Sequence, residues 1–156
     1  MTEADIVTGD LPCFASSAHH RTLPLMPPIP CHIIVEGNPA IIYASRNGNP
    51  EKVLPTLKRF LEKFWQERDI SGENEDTPEC LVAQVVVRFG FEICEDDYSN
   101  LRVGLNYRPD AEYLYWVGGD RTVQVFVPEP AYQSNPSQGL VACRKLGSPT
   151  LVGNAS

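Results

Sequence analysis

Four residues are the best equipped for chemistry: His19, His20, Cys31 and His32. All lie within AHHRTLPLMPPIPCHI, residues 18 to 33, which holds all three histidines of the chain. Imidazole and thiolate are the ligands that zinc takes. The spacing argues against a shared ion. Neighbouring side chains in an extended chain point to opposite sides, so neither His19–His20 nor Cys31–His32 presents two ligands at once. Between the pairs, Pro24, Pro27, Pro28 and Pro30 hold the backbone extended at about 3.1 Å per residue. The expectation is no metal site and a proline-stiffened arm. The Pro24–Pro27 and Pro27–Pro30 spacings also suit a polyproline ligand, but the preferred reading is a rigid spacer or a strap across the domain.

The carboxylates gather in two groups. Glu73, Glu75, Asp76 and Glu79 form one; Glu92, Glu95, Asp96 and Asp97 form the other. Neither places oxygen ligands at alternate positions around a glycine, as a calcium loop does, so both read as solvated turns. No GxSxG, HExxH or phosphate-loop pattern occurs. Cys80 and Cys94 flank an apolar run, where cysteine acts as a small hydrophobe. Gly118–Gly119–Asp120 reads as a hairpin turn, not a phosphate cradle. The chain therefore offers no catalytic set, and no cofactor is expected.

The totals set the class. A chain of 156 residues is sized for one domain. Its net charge of −7 and pI near 4.9 disfavour a phosphate backbone as partner. No run of about 18 apolar residues suggests a membrane span. The N-terminal stretch lacks a basic region followed by an apolar one, and the five cysteines include no CxxC. Together these point to a cytoplasmic protein.

Three regions follow from composition. Residues 1–30 form an irregular Pro-rich arm, residues 31–130 a single α+β domain, and residues 131–156 a second irregular arm. In the domain, Ile33–Val35 and Ile41–Tyr43 flank Gly37, Asn38 and Pro39 as a β-hairpin. Val53, Leu54, Leu57, Phe60, Leu61, Phe64 and Trp65 make one helical stripe. Asn49–Pro50 suits its start, although Pro55 offers a later one. From Leu81 the period reads as two, and four runs (81–94, 101–108, 112–117 and 121–127) suggest an antiparallel meander. The expected order is β-β-α-β-β-β-β, with the helix on one sheet face in two layers.

The candidate functional residues lie where that alternation fails. Leu114, Trp116 and Phe126 fall on the face opposite the helix, with Arg88, Arg102 and Arg108 as flanking cations. Aromatic residues edged by arginine suit a protein contact, whether with another protein or in a homodimer. A terminal arm folded across them is the structural alternative. The competing functional reading is a ligand-binding or enzymatic pocket between helix and sheet, lined by Tyr107, Tyr113 and Tyr115.

Overall fold

The computed structural model describes residues 28–72, 77–92, 101–147 and 150–152. Most of the expected N-terminal arm, with His19 and His20, lies outside them. The fold is mixed α+β, built on one sheet. Its strands are β1 (Cys31–Val35), β2 (Ile41–Ala44), β3 (Leu101–Gly104), β4 (Tyr113–Val117), β5 (Thr122–Pro128), β6 (Cys143–Lys145) and β7 (Thr150–Leu151). The spatial order is β3-β2-β1-β4-β5-β6, and β7 also pairs with β5.

The hairpin forms as expected. Ile33 pairs with Ile42 and His32 with Tyr43. Gly37 takes the turn at φ 85°, and the Asn38 carboxamide oxygen accepts the Ala40 N–H at 2.8 Å. Helix α1 (Pro50–Ser71) also forms from the earlier start. The Asn49 carbonyl accepts the Val53 N–H at 3.0 Å, and Gly72 ends the helix in the left-handed region. Pro55 sits inside α1 on its exposed side. There water can serve the carbonyl one turn back that proline leaves without a donor.

The meander is corrected. Residues Pro78–Glu92 are a second helix, α2, and not a strand. The segment carries two apolar periods at once. Read by twos, Leu81, Val85, Val87 and Phe89 align. Read at 3.6, Leu81, Val82, Val85 and Phe89 align, and those four are the buried ones, while Val87 is 54% exposed. The start favours the helix: Thr77 Oγ1 accepts the Cys80 N–H at 3.3 Å, with Pro78 at the first position and Glu79 in the first turn.

Strand pairing changes accordingly. β3 is shorter than expected and pairs antiparallel with β2, while β4 pairs in parallel with β1. Of the expected meander, β4 and β5 alone form a local antiparallel hairpin, pairing Leu114 with Phe126 and Val117 with Val123. Its turn is tied by Asp120 Oδ1, which accepts from the Thr122 N–H at 3.1 Å and the Thr122 hydroxyl at 2.6 Å.

Both sheet faces are covered, so the single helical layer was too simple. On one face Val53, Leu57, Leu61, Phe64 and Trp65 of α1, with Leu81, Val82, Val85 and Phe89 of α2, pack on Ile33, Val35, Ile42, Tyr115, Val117, Val123 and Val125. On the other, Ile34, Ile41, Leu114 and Phe126 pack with Tyr132, Ala142 and Leu140. Those last three belong to the stretch expected to be irregular. It forms a short helix α3 (Pro130–Ser134), a 3-10 segment (Pro136–Ala142) and strands β6 and β7. Apolar residues too few to show a period still suffice to dock it.

Candidate functional site

The registers set one row of side chains across the face opposite α1 and α2. Arg102 lies opposite Tyr43, Tyr43 opposite His32, His32 opposite Leu114, Leu114 opposite Phe126, and Phe126 opposite Lys145. The apolar half of the row is sealed by the C-terminal segment. The other half is a cluster of aromatic and polar groups centred on His32.

His32 is fully buried. Its Nε2 accepts the Arg108 backbone N–H at 2.9 Å, and its Nδ1 lies 3.2 Å from the Ile42 carbonyl oxygen. An amide can only donate, so Nε2 is the bare nitrogen and Nδ1 carries the proton. Burial holds its pKa below the usual histidine value, opposed by the Ile42 carbonyl and the Asp110 carboxylate. Tyr43 and Tyr107 pack on the ring at centroid distances of 5.4 and 5.6 Å. The ring is neutral, saturated with partners and closed to substrate.

The neighbouring groups are similarly occupied. The Tyr43 hydroxyl donates to Asp110 Oδ2 at 2.7 Å. Burial, and then that bond, pushes its pKa up to about 12. The Arg108 guanidinium sits over the Tyr43 ring at 4.6 Å and 3.5 Å from Asp110 Oδ1. The Tyr132 hydroxyl donates to the Arg108 carbonyl at 2.9 Å. Gly139, at φ 58° and ψ −137°, brings the 3-10 segment so close to Tyr107 that a Cβ there would stand 2.9 Å from its ring. The cluster is therefore a clasp. It fastens residues 107–111 and the C-terminal segment to β1 and β2.

A recess with a different character lies between α1 and α2. It is a surface groove of about 310 Å³, lined by Phe60, Phe64 and Val87 with Lys63, Glu67, Gln84 and Arg88. Phe60 and Phe64, one helical turn apart, stack at 5.9 Å. Lys63 and Glu67 form an exposed ion pair at 3.8 Å. A smaller recess of about 70 Å³ lies at the ends of β1 and β4, beside Glu36, Gly118, Gly119 and Arg121. Glu36 Oε2 accepts the Gly119 N–H there at 2.6 Å, and Arg121 pairs with both oxygens of Asp69.

The expected partner-binding residues are dispersed. Leu114 and Phe126 are core, at 0% and 7% exposure, and Trp116 is half-buried. The C-terminal segment packs over Leu114 and Phe126, as the structural alternative has it, whereas Trp116 lies at the margin of that cluster, partly buried. Arg102 lies on edge strand β3, Arg108 belongs to the clasp and Arg88 lines the α1–α2 groove. The three expected pocket tyrosines are separated too. Tyr113 and Tyr115 face the helices, whereas Tyr107 meets His32 on the other side. The Tyr115 hydroxyl donates to the Gly48 carbonyl at 2.6 Å, and burial raises its pKa strongly.

Cys31 and His32 point to opposite faces, and no group of three or more potential metal ligands occurs among the described residues. Glu79 is exposed in the first turn of α2, and the other acidic residues of its loop lie outside the described residues, as do Glu95, Asp96, Asp97 and Cys94. No described helix is long and apolar enough to cross a membrane.

Sequence reasoning weighed His32 only as a metal ligand, and missed its clasp partners Tyr43, Asp110 and Tyr132 and the groove residues Phe60, Lys63, Gln84 and Val87. The groove had one legible signal. Once residues 78–92 are read as a helix, Val87 falls outside its apolar stripe. No family model, curated protein or solved structure matches the chain.

Proposed function

We propose that the chain is a non-catalytic protein–protein interaction module of the cytoplasm, with a regulatory or assembly role, and that it docks its partner in the α1–α2 groove. The observation that carries this reading is the groove itself. It is lined by the apolar side chains of Phe60, Phe64 and Val87 together with Lys63, Glu67, Gln84 and Arg88, the mix of apolar and polar groups that a protein interface uses. Arg88 supplies the cation at its edge that interfaces favour.

Two further observations support it. The layer between helices and sheet is filled by large apolar side chains, which leaves the three tyrosines without a shared pocket. Among the described residues, the groups best suited to proton transfer are already engaged: both His32 nitrogens and the hydroxyls of Tyr43, Tyr115 and Tyr132.

The test is comparative affinity capture from the native source with wild type, Val87→Glu and Arg144→Glu. Val87→Glu puts a charge into the groove lining at an exposed position, so the fold survives. The expected result is a partner lost by Val87→Glu and kept by Arg144→Glu. Identical partners for all three proteins would refute the groove as the docking surface.

A further inference from the structure

The sheet has two outer edges, and they are built differently. The β6 edge carries Arg144 and Lys145, adjacent and exposed. Charged side chains on an edge strand guard it against pairing with another chain. The β3 edge carries a single charge, Arg102, no lysine or proline, and no residue with positive φ. Beyond β3 no strand follows among the described residues.

Apolar side chains are exposed here too: Val103 of β3 is 52% exposed, and Leu105, the residue directly after the strand, 71%. Val103 pairs with Ile42, which belongs to the helix-side core, so Val103 points to that side of the sheet. Leu101, two residues earlier, packs on that core. Arg102 points to the other side, opposite Tyr43.

We infer that β3 pairs antiparallel with β3 of a second copy of this chain, about a two-fold axis at Val103. With the ladder extended by one residue past β3, the sequence LRVGL (101–105) is self-complementary in that register. Each Val103 meets its counterpart and each Leu101 meets a Leu105. Each Arg102 stands opposite a Gly104, so the one charged side chain of the strand faces the one residue without a side chain. No like charges are directly opposed, the condition under which cross-strand pairs stabilise.

The alternative, β3 of one copy on β6 of the next, sets Arg102 near Arg144 and Lys145. It also leaves an open-ended array, whereas the two-fold pairing closes. An interface of one short strand is small, so association is concentration-dependent. This pairing uses the sheet edge and is independent of the α1–α2 groove.

Sedimentation velocity on the full chain across a dilution series tests it. Wild type should pass from monomer to dimer as concentration rises. Val103→Lys and Leu105→Lys should each remain monomeric at the highest concentration with the wild-type melting temperature. Directly opposed residues of antiparallel strands have Cα atoms about 4.5–5.5 Å apart, within disulfide reach. Val103→Cys should therefore form an intermolecular disulfide that peptide mapping assigns to position 103 on both chains. A wild type that is monomeric throughout, a dimer that survives both lysine substitutions, or a disulfide joining position 103 to a native cysteine would overturn the inference.

Discussion

Replacing His32 with leucine should cost stability, and the cost should depend on pH. Leucine fills much of the space the ring occupies but offers no polar atom. The Arg108 N–H and the Ile42 carbonyl then lose the partners they have at 2.9 and 3.2 Å. A buried polar group left unsatisfied costs about 1–3 kcal/mol; Ile42 keeps its place in the ladders with Ile33 and Val103, so the loss near neutral pH is about 1–3 kcal/mol, carried by the Arg108 N–H. The pH dependence follows from the lowered pKa of His32.

Above about pH 6.5 the ring is neutral in both the folded and unfolded chains, and its contribution is complete. As pH falls below that value, the unfolded chain takes up a proton that the folded chain refuses. Stability then declines by up to about 1.4 kcal/mol per pH unit until the folded pKa is passed. A protonated ring would turn an N–H against the Arg108 N–H, while Asp110 is the acid near enough to oppose the loss. Urea unfolding of wild type and His32→Leu between pH 8 and pH 5, on the order of three units around the histidine range, measures both effects. The wild-type curve should fall more steeply on the acid side, narrowing the gap between the two proteins. Parallel curves, or a variant as stable as wild type at neutral pH, would refute the neutral, doubly bonded histidine.

Four other outcomes are expected. Val85→Ala should destabilise by about 2–3 kcal/mol while Val87→Ala changes stability by less than about 0.5 kcal/mol, because only Val85 is buried in α2; equal losses by thermal denaturation would restore the strand reading. Tyr132→Ala should cost about 3–5 kcal/mol and increase dye binding as Leu114 and Phe126 are uncovered, and an unchanged protein would mean the C-terminal segment does not seal that face. Gly139→Ala should lower the melting temperature, since its φ of 58° with ψ of −137° suits glycine alone and Tyr107 blocks a Cβ. Asp110→Asn should lower the Tyr43 pKa from about 12 while burial keeps it above the ordinary tyrosine value, read by ultraviolet titration against a Tyr43→Phe control.

The hairpin and α1 were legible because one signal dominated each. β-branched runs flanked the Gly37 turn, and a seven-residue stripe marked α1. At residues 78–92 two apolar periods coexist, and counting by twos hid the start signal Thr77–Pro78–Glu79. The error carried over to the sheet: without α2, nothing sent β3 to β2 or β4 to β1. Leu114 and Phe126 were correctly seen to need cover. The cover itself was obscure, because Tyr132, Leu140 and Ala142 lie in a segment punctuated by proline and glycine. His32 looked like a potential ligand because a sequence does not display the backbone groups of Ile42 and Arg108 that occupy both its nitrogens.

The docking claim is tested most directly by a photo-crosslinking amino acid placed at Val87 and, as a control, at Arg144, with crosslinking done in intact cells. The account predicts a discrete crosslinked partner from position 87, absent when Phe60→Ala opens the groove lining, and none of that partner from position 144. Crosslinking of the same partner from 144 and not from 87 would contradict it.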